Sequence, residues 1–361
     1  MEKKKTGQRI RYLRTPDGVQ MAWAEAGSGP VLVKAANWLT HLEYEWESPV
    51  WRHWIRFLSE HFRYLRYDER GCGMTDRNVG DLSSFDRWVD DLEAVVNAAG
   101  IEEPVSLLGI SQGGAVCVAY AVRHPERVSR LVIYGGYARG VARRGDPGAE
   151  REYQAIIELV RRGWGRDNPA FRQIFTSRFI PGGTTEQLEW FNELCRKTTS
   201  AEIAADLMQA RAQVDVSDLL EKVRAPTLVL HGRNDAVVPI AEGQYLATRI
   251  PGAQFVELDS ANHVLLGHEP AWPRFCQAVL EFMGMEPEAA GGEDPAFGSL
   301  SRREREVLVL ITEGLGNAEI GERLSISEKT VRNHISGVFD KLGVWTRAQA
   351  IVFARDRGFR A

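Results

Sequence analysis

Ser111 stands in Gly109-Ile110-Ser111-Gln112-Gly113-Gly114, between an apolar run at 105–108 and a helix-forming stretch at 115–121. A serine on a tight strand-to-helix turn is placed to act as a nucleophile. Glycines on either side let the backbone turn sharply and leave the hydroxyl in a strained, exposed position. A serine hydroxyl is a weak nucleophile, so it needs a base, and the base needs a group to orient it. Downstream the chain supplies Asp235 in His231-Gly232-Arg233-Asn234-Asp235, just past an apolar run at 227–230, and His263 in Asp259-Ser260-Ala261-Asn262-His263. Taken singly, Asp235 also reads as a turn cap and His263 as a loop histidine. The order of the three and their placement after strand-like runs favour acyl transfer.

The C-terminal part offers a different chemistry. Ser301-x-x-Glu304 is a capping box that opens a helix, Asn317 opens a short second one, and Ser327 caps a third that stops at Gly343. Thr346-x-x-Gln349 opens a last helix. In the third helix Val331, Ile335, Val338, Phe339 and Leu342 fall at 3-4 spacing and face a core, leaving Lys329, Arg332, Asn333, Ser336 and Lys341 outside. A short helix, a tight turn and a polar helix present side chains to a DNA major groove.

The elements that must position these groups are legible between them. Short apolar runs at 31–33, 64–67, 105–108, 131–134 and 227–230 read as buried parallel strands, with helical patterns between them. The expected fold class is therefore α/β, a mainly parallel doubly wound sheet with helices on both faces. From 137 to 217 helical patterns occur without a strand, which predicts a helical cap. Residues 284–296 are small, acidic and rich in Gly and Pro and read as a linker. The expected domains are 1–283, with the cap inside it, and a small all-α four-helix domain at 297–361.

The order Ser111, Asp235, His263 and the run Asp68-Glu69-Arg70-Gly71-Cys72-Gly73-Met74-Thr75 resemble the α/β-hydrolase fold family over about residues 10–283. The resemblance implies that Ser111 attacks a carbonyl, His263 takes its proton and Asp235 holds the imidazole in the right tautomer. Gln112 N–H would give half the oxyanion hole. The family's His-Gly-aromatic has Ala36-Asn37-Trp38 as its equivalent here, with Trp38 N–H as the expected second donor and Ala36 or Asn37 the alternatives. The C-terminal part resembles the LuxR-type helix-turn-helix family along nearly its whole length, through Leu300-Ser301-x-Arg303-Glu304, Ser327-Glu328-Lys329-Thr330-Val331-Arg332-Asn333-His334 and Lys341-Leu342-Gly343-Val344. It implies base contacts from Arg332, Asn333 and Ser336, and phosphate contacts from Lys329, Thr330, His334 and Arg347. It also implies a homodimer, with Ile351, Val352 and Arg355 as interface positions, Ile351 or Val352 reading equally as core. Gly321 stands where that family often has Ala, which predicts a slightly weaker second helix.

Composition bounds the rest. The chain has 361 residues, 44% hydrophobic and 26% charged, with a net charge of −4, the balance of a globular protein. Residues 300–361 hold 11 Lys+Arg against 8 Asp+Glu, so this part is weakly basic on an acidic body, as suits a phosphate-contacting segment. No stretch approaches the roughly 20 apolar residues of a membrane helix, and no signal peptide follows the basic start, so a cytoplasmic location is expected. Cys72, Cys117, Cys195 and Cys276 lie too far apart for a zinc motif or a disulfide framework. No metal or cofactor is expected.

Tryptophans crowd the segment after the expected oxyanion loop. Asn37, Trp38, His41, Trp46, Trp164 and Trp190 are the candidate pocket residues, although core packing accounts for most rings of this kind. The cap offers no cluster of basic residues, so the expected ligand is a small hydrophobic ester, lactone or amide. These features together predict a ligand-responsive transcriptional regulator with a serine-hydrolase sensor. The alternative is an esterase whose DNA-binding part serves autoregulation or localisation.

Overall fold

The computed structural model describes residues 7–168, 170–285, 297, 300–357 and 359. The chain divides into two compact units, Met1–Met283 and Gly284–Ala361. The linker expected at 284–296 lies, from residue 286 onward, outside the described residues.

The first unit is built on one eight-stranded sheet. Its strands are β1 (Arg9–Arg14), β2 (Gln20–Ala26), β3 (Val31–Lys34), β4 (Arg63–Tyr67), β5 (Val105–Ile110), β6 (Val128–Tyr134), β7 (Thr227–Gly232) and β8 (Gln254–Leu258). Their order across the sheet is β1-β2-β4-β3-β5-β6-β7-β8. β1 pairs antiparallel with β2 and β2 antiparallel with β4; all other pairs are parallel. The central strands are buried on both faces, which is why β5 and β7 read as continuous apolar runs. β1 alternates exposed and half-buried residues as a sheet edge does.

Helices α1 (Leu42–Trp46), α2 (Arg52–His61), α3 (Phe85–Ala98), α4 (Gly113–Arg123), α9 (Ile240–Arg249) and α10 (Ala271–Met283) connect or flank the strands. In α3 the residues Trp88, Val89, Leu92, Val95 and Val96 are buried, one apolar stripe at helical spacing. Between β6 and β7 lie four cap helices, α5 (Pro147–Gly163), α6 (Ala170–Phe179), α7 (Thr185–Thr198) and α8 (Ala201–Ala212). The turn after β4 is held from inside. Asp68 accepts hydrogen bonds from the backbone N–H groups of Leu42 and Met74, and burial pushes its carboxyl up to about 7. Arg70, 1% exposed, is paired with Asp91 at 2.6 Å.

The second unit consists of α11 (Arg302–Thr312), α12 (Asn317–Leu324), α13 (Glu328–Leu342) and α14 (Arg347–Asp356). Capping boxes open α11 at Ser301 and α14 at Thr346, and Ser327 caps α13. Val307, Ile311, Ile320 and Val331 form one apolar core, and Leu308, Val338, Leu342 and Ala350 another.

Candidate active site and DNA-reading helix

The strand-to-helix turn between β5 and α4 sets Ser111 at φ +55°, a left-handed conformation costly for a residue with a Cβ and found where surrounding structure enforces it. Two contacts enforce it. Ser111 N–H donates to Tyr134 O at 3.0 Å, and α4 leaves so close to β5 that a Cβ on Gly109 would lie 2.5 Å from Gly114 Cα. Gln112 is the N-cap of α4, so its N–H belongs to the end of the helix where donors lack intrahelical partners.

Asp235 lies in the loop after β7. Its Oδ2 stands 2.6 Å from His263 Nδ1, while its Oδ1 accepts from the N–H groups of Val237 at 2.8 Å and Val238 at 3.0 Å. Burial pushes this carboxyl up, but the His263 charge and the hydrogen bonds from His263 and Val238 outweigh it, and the group lies below its ordinary value. His263 follows β8. Its N–H donates to Phe179 O at 2.8 Å and its ring packs edge-on against Phe179, 84° between planes. Its Nε2 is buried with no hydrogen-bond partner among the described residues.

Gly135 and Gly136, just past β6, run beneath all three residues. A Cβ on Gly135 would lie 3.3 Å from His263 Cε1 and 3.5 Å from Asp235 Oδ2, and one on Gly136 would lie 3.4 Å from Ser111 O. Gly136 leaves no room for a side chain because a Cβ there would lie 2.4 Å from Ile133 Cγ2, and Gly135 holds a left-handed φ of +55° that favours glycine. A second histidine, His231, sits 3.8 Å from Asp235 Oδ2 with its own Nε2 at 2.9 Å from Val238 O. Burial holds its pKa below the ordinary value, so it braces the acid loop as a neutral ring. Its signal in the sequence is an apolar strand ending in His four residues before the acid.

Ser111 and Asp235 line a cavity of about 190 Å³ beneath the cap. Of the six pocket candidates, Trp38 alone lines it. Its ring packs at 5.6 Å from Trp164 and 5.9 Å from Phe175, so Trp164 supports the wall from behind. Asn37 is buried, taking the Lys34 ammonium on Oδ1 and donating to Trp38 O at 3.0 Å; it ties down the loop after β3 and does not line the cavity. His41 and Trp190 border a separate open groove, with Tyr44 stacked on Trp190 at 4.9 Å. Trp46 is half-buried on α1 and lines neither. The other lining residues come from the cap, among them Tyr153, Ile156, Phe175, Phe179 and Met208. The expectation of a cap without clustered basic residues is corrected by Arg144, Arg178 and Arg211, which are scattered in sequence yet all line this cavity.

In the second unit Lys329, Arg332, Asn333 and Ser336 are exposed on α13, and their spacing puts them on one face. Thr330 and His334 are half-buried; the Thr330 hydroxyl shares a 2.9 Å hydrogen bond with that of Ser327. Arg347, expected at phosphate, instead gives its guanidinium to Leu315 O and Asn317 Oδ1, tying α14 to the turn before α12. Lys341 is exposed, as expected, and reaches Glu304 on α11 at 2.7 Å; the Lys341 ammonium first of all holds the Glu304 carboxyl down at about 2. Gly321 is required rather than weakening, since a Cβ there would lie 2.8 Å from Ile326 O in the tight turn. Val352 and Arg355 are exposed on α14, and Ile351 packs on the core. Among the described residues no group of three or more His, Cys, Asp and Glu side chains is placed to hold a metal ion, and no helix is long and apolar enough to cross a membrane.

A family model described as serine aminopeptidase, S33 matches residues 55–271, and one described as bacterial regulatory proteins, luxR family matches residues 298–354. The chain is 29% identical over 292 residues to a 2-hydroxy-6-oxononadienedioate/2-hydroxy-6-oxononatrienedioate hydrolase of Paraburkholderia phymatum, a match covering 77% of this chain and 92% of that protein. It is 28% identical over 235 residues to 3-oxoadipate enol-lactonase 2 of Acinetobacter baylyi, covering 64% of this chain and 84% of that one. A solved esterase from Thermogutta terrifontis, with malate bound, matches with a TM-score of 0.60 at 27% identity, covering 78% of this chain and 98% of the esterase. The chain belongs to the serine aminopeptidase S33 family of α/β hydrolases, fused to a DNA-binding domain of the luxR family of bacterial regulatory proteins.

Proposed function

We propose that the protein is a ligand-responsive transcriptional regulator whose hydrolase unit binds and hydrolyses a small carbonyl compound. The observation that carries this reading is the 2.6 Å Asp235–His263 pair standing beside the left-handed Ser111 turn, at a cavity lined by the cap. Ser111 Oγ attacks the carbonyl carbon while His263 Nε2 takes its proton, and Asp235 stabilises the imidazolium through Nδ1–H. The backbone N–H groups of Gln112 and Trp38 receive the oxyanion, each donor of that kind being worth about 10²–10³ in rate. The imidazolium then protonates the leaving group, and water attacks the acyl-serine by the same route.

The same cap helices that wall the cavity hold the catalytic loop, since Phe179 at the end of α6 carries the backbone of His263. A ligand seated there engages cap and triad at once. It shifts DNA affinity by the difference in its affinity for the two states of the protein. Lys329, Arg332, Asn333 and Ser336 read the operator, and the protein acts as a homodimer in the cytoplasm.

Two assays on the full chain test the reading. Release of p-nitrophenol from p-nitrophenyl acetate is expected from the wild type and not from Ser111→Ala; equal rates refute the triad. A gel shift on the promoter DNA of the protein's own operon is expected to respond to the ligand. A shift lost in Arg332→Ala supports the DNA assignment, and one unchanged by that substitution refutes it.

A further inference from the structure

The cavity beside Ser111 is unusual in which polar atoms it leaves unpaired. Arg211, on α8, lines it and is 4% exposed. One amino group of its guanidinium is bonded to the buried carboxylate of Glu69, and its plane lies over Trp38 at 4.6 Å. The remaining donors, Nε and Nη1, are buried with no hydrogen-bond partner among the described residues. A guanidinium cannot shed its proton, and buried donors in native proteins are nearly always satisfied. Trp38 Nε1 and both polar atoms of the Gln112 side chain, Nε2 and Oε1, from residues lining the same cavity, are likewise buried without partners.

The other two arginines are already engaged. Arg178 donates to Glu152 at 2.8 Å and Arg144 to Arg139 O at 2.8 Å. Asp235, the acid among the lining residues nearest the triad, is committed to His263. Among these open groups the donors of Arg211, Trp38 and Gln112 outnumber the one acceptor, Gln112 Oε1, so the site asks its ligand for oxygen acceptors.

We infer that the ligand is a carboxylate-bearing carbonyl compound, its carboxylate received by Arg211 and its reacting carbonyl by Ser111. A carboxylate fits because an ionised acceptor bonds a guanidinium about twice as strongly as a neutral one does; an ester carbonyl offers Nε or Nη1 only the weaker, uncharged bond. The inference deepens the proposed function by naming the substrate class for the same site, so its test must not depend on turnover.

The test is titration calorimetry on the full chain carrying Ser111→Ala, which leaves the probes intact. The probes are monomethyl glutarate, an anionic half ester, and dimethyl glutarate, its neutral counterpart. The half ester is expected to bind at least tenfold more tightly. Adding Arg211→Gln is expected to erase that preference while leaving the diester within about twofold. Because Arg211→Gln strands the Glu69 carboxylate, the paired change Glu69→Gln with Arg211→Gln is measured beside it, and the same loss is expected. Equal binding of the two probes, binding of neither, or a preference that survives removal of Arg211 overturns the inference. An Arg211-dependent preference in a protein whose wild type releases no p-nitrophenol leaves the inference standing and refutes only the hydrolytic reading.

Discussion

Replacing Asp235 by asparagine tests the geometry of the site more finely than deleting it. The carboxylate is held at both ends: Oδ1 by two backbone donors, Val237 and Val238, and Oδ2 by His263 Nδ1. An asparagine amide has one acceptor end and one donor end. The two N–H groups demand the acceptor, so the side chain cannot flip to spare the histidine, and its NH₂ must face Nδ1. His263 then accepts at Nδ1 and carries its proton on Nε2, the atom that must receive the serine proton. The tautomer is wrong while the shape is kept. A loss of about 10⁴ in kcat is expected, or about 5.4 kcal/mol of transition-state stabilisation, with KM for a neutral aryl ester nearly unchanged. Steady-state hydrolysis of p-nitrophenyl acetate measures it, with circular dichroism as the check on folding. An Asp235→Asn protein that keeps a tenth or more of wild-type kcat would refute the assignment of Asp235 as the orienting acid.

Three further outcomes follow from the same contacts. Gly135→Ala puts a methyl 3.3 Å from the His263 ring at a residue with φ +55°; a stability loss of about 1–2 kcal/mol and a fall of about tenfold in kcat are expected from the displaced imidazole, and an unchanged kcat would contradict the packing. Glu304→Gln removes the charge that ties α11 to Lys341 of α13, at a cost of about 1–2 kcal/mol, read as a roughly 5- to 30-fold fall in amide-exchange protection of these helices. Because the folded Glu304 carboxyl is held at about 2, below an unfolded value of about 4.3, its contribution is full above the unfolded value and is lost as pH falls through the folded one. The exchange advantage of wild type over Glu304→Gln should vanish in that acid window, and an advantage that persists below it would sink the assignment. Arg332→Ala is expected to weaken selective operator binding by about 1–3 kcal/mol and leave ester hydrolysis intact; equal loss on all DNA sequences would make Arg332 a phosphate contact instead.

Much of the site could be read from the chain because its chemistry restricts residue types at fixed places. A glycine stands two residues before Ser111 where α4 crosses β5, and Asp235 and His263 follow strands, so the three stand out locally. The strands β1, β2 and β8 did not: Arg9–Arg14 places three arginines on an edge strand, where solvent rather than a core sets the pattern. The cap helix α6 buries Arg172 and Thr176 beside Phe175 and Phe179, and so lacks the apolar stripe that marks a helix in sequence. Most of the tryptophans are core, as expected of such rings. Trp54 is turned into the core against Phe275 at 4.5 Å by α2, and only Trp38 reaches the cavity. Arg144, Arg178 and Arg211 could not be grouped from the sequence at all, since three separate segments bring them together.

Intact-protein mass spectrometry after treatment with a fluorophosphonate ester reaches the central claim most directly. One phosphonyl adduct, mapped by digestion to Ser111 and slowed at least a thousandfold in His263→Ala, is the result expected of a nucleophile served by that imidazole. A protein that stays unmodified, or one labelled elsewhere at the same rate whether or not the imidazole is present, would show that these three side chains do not work together.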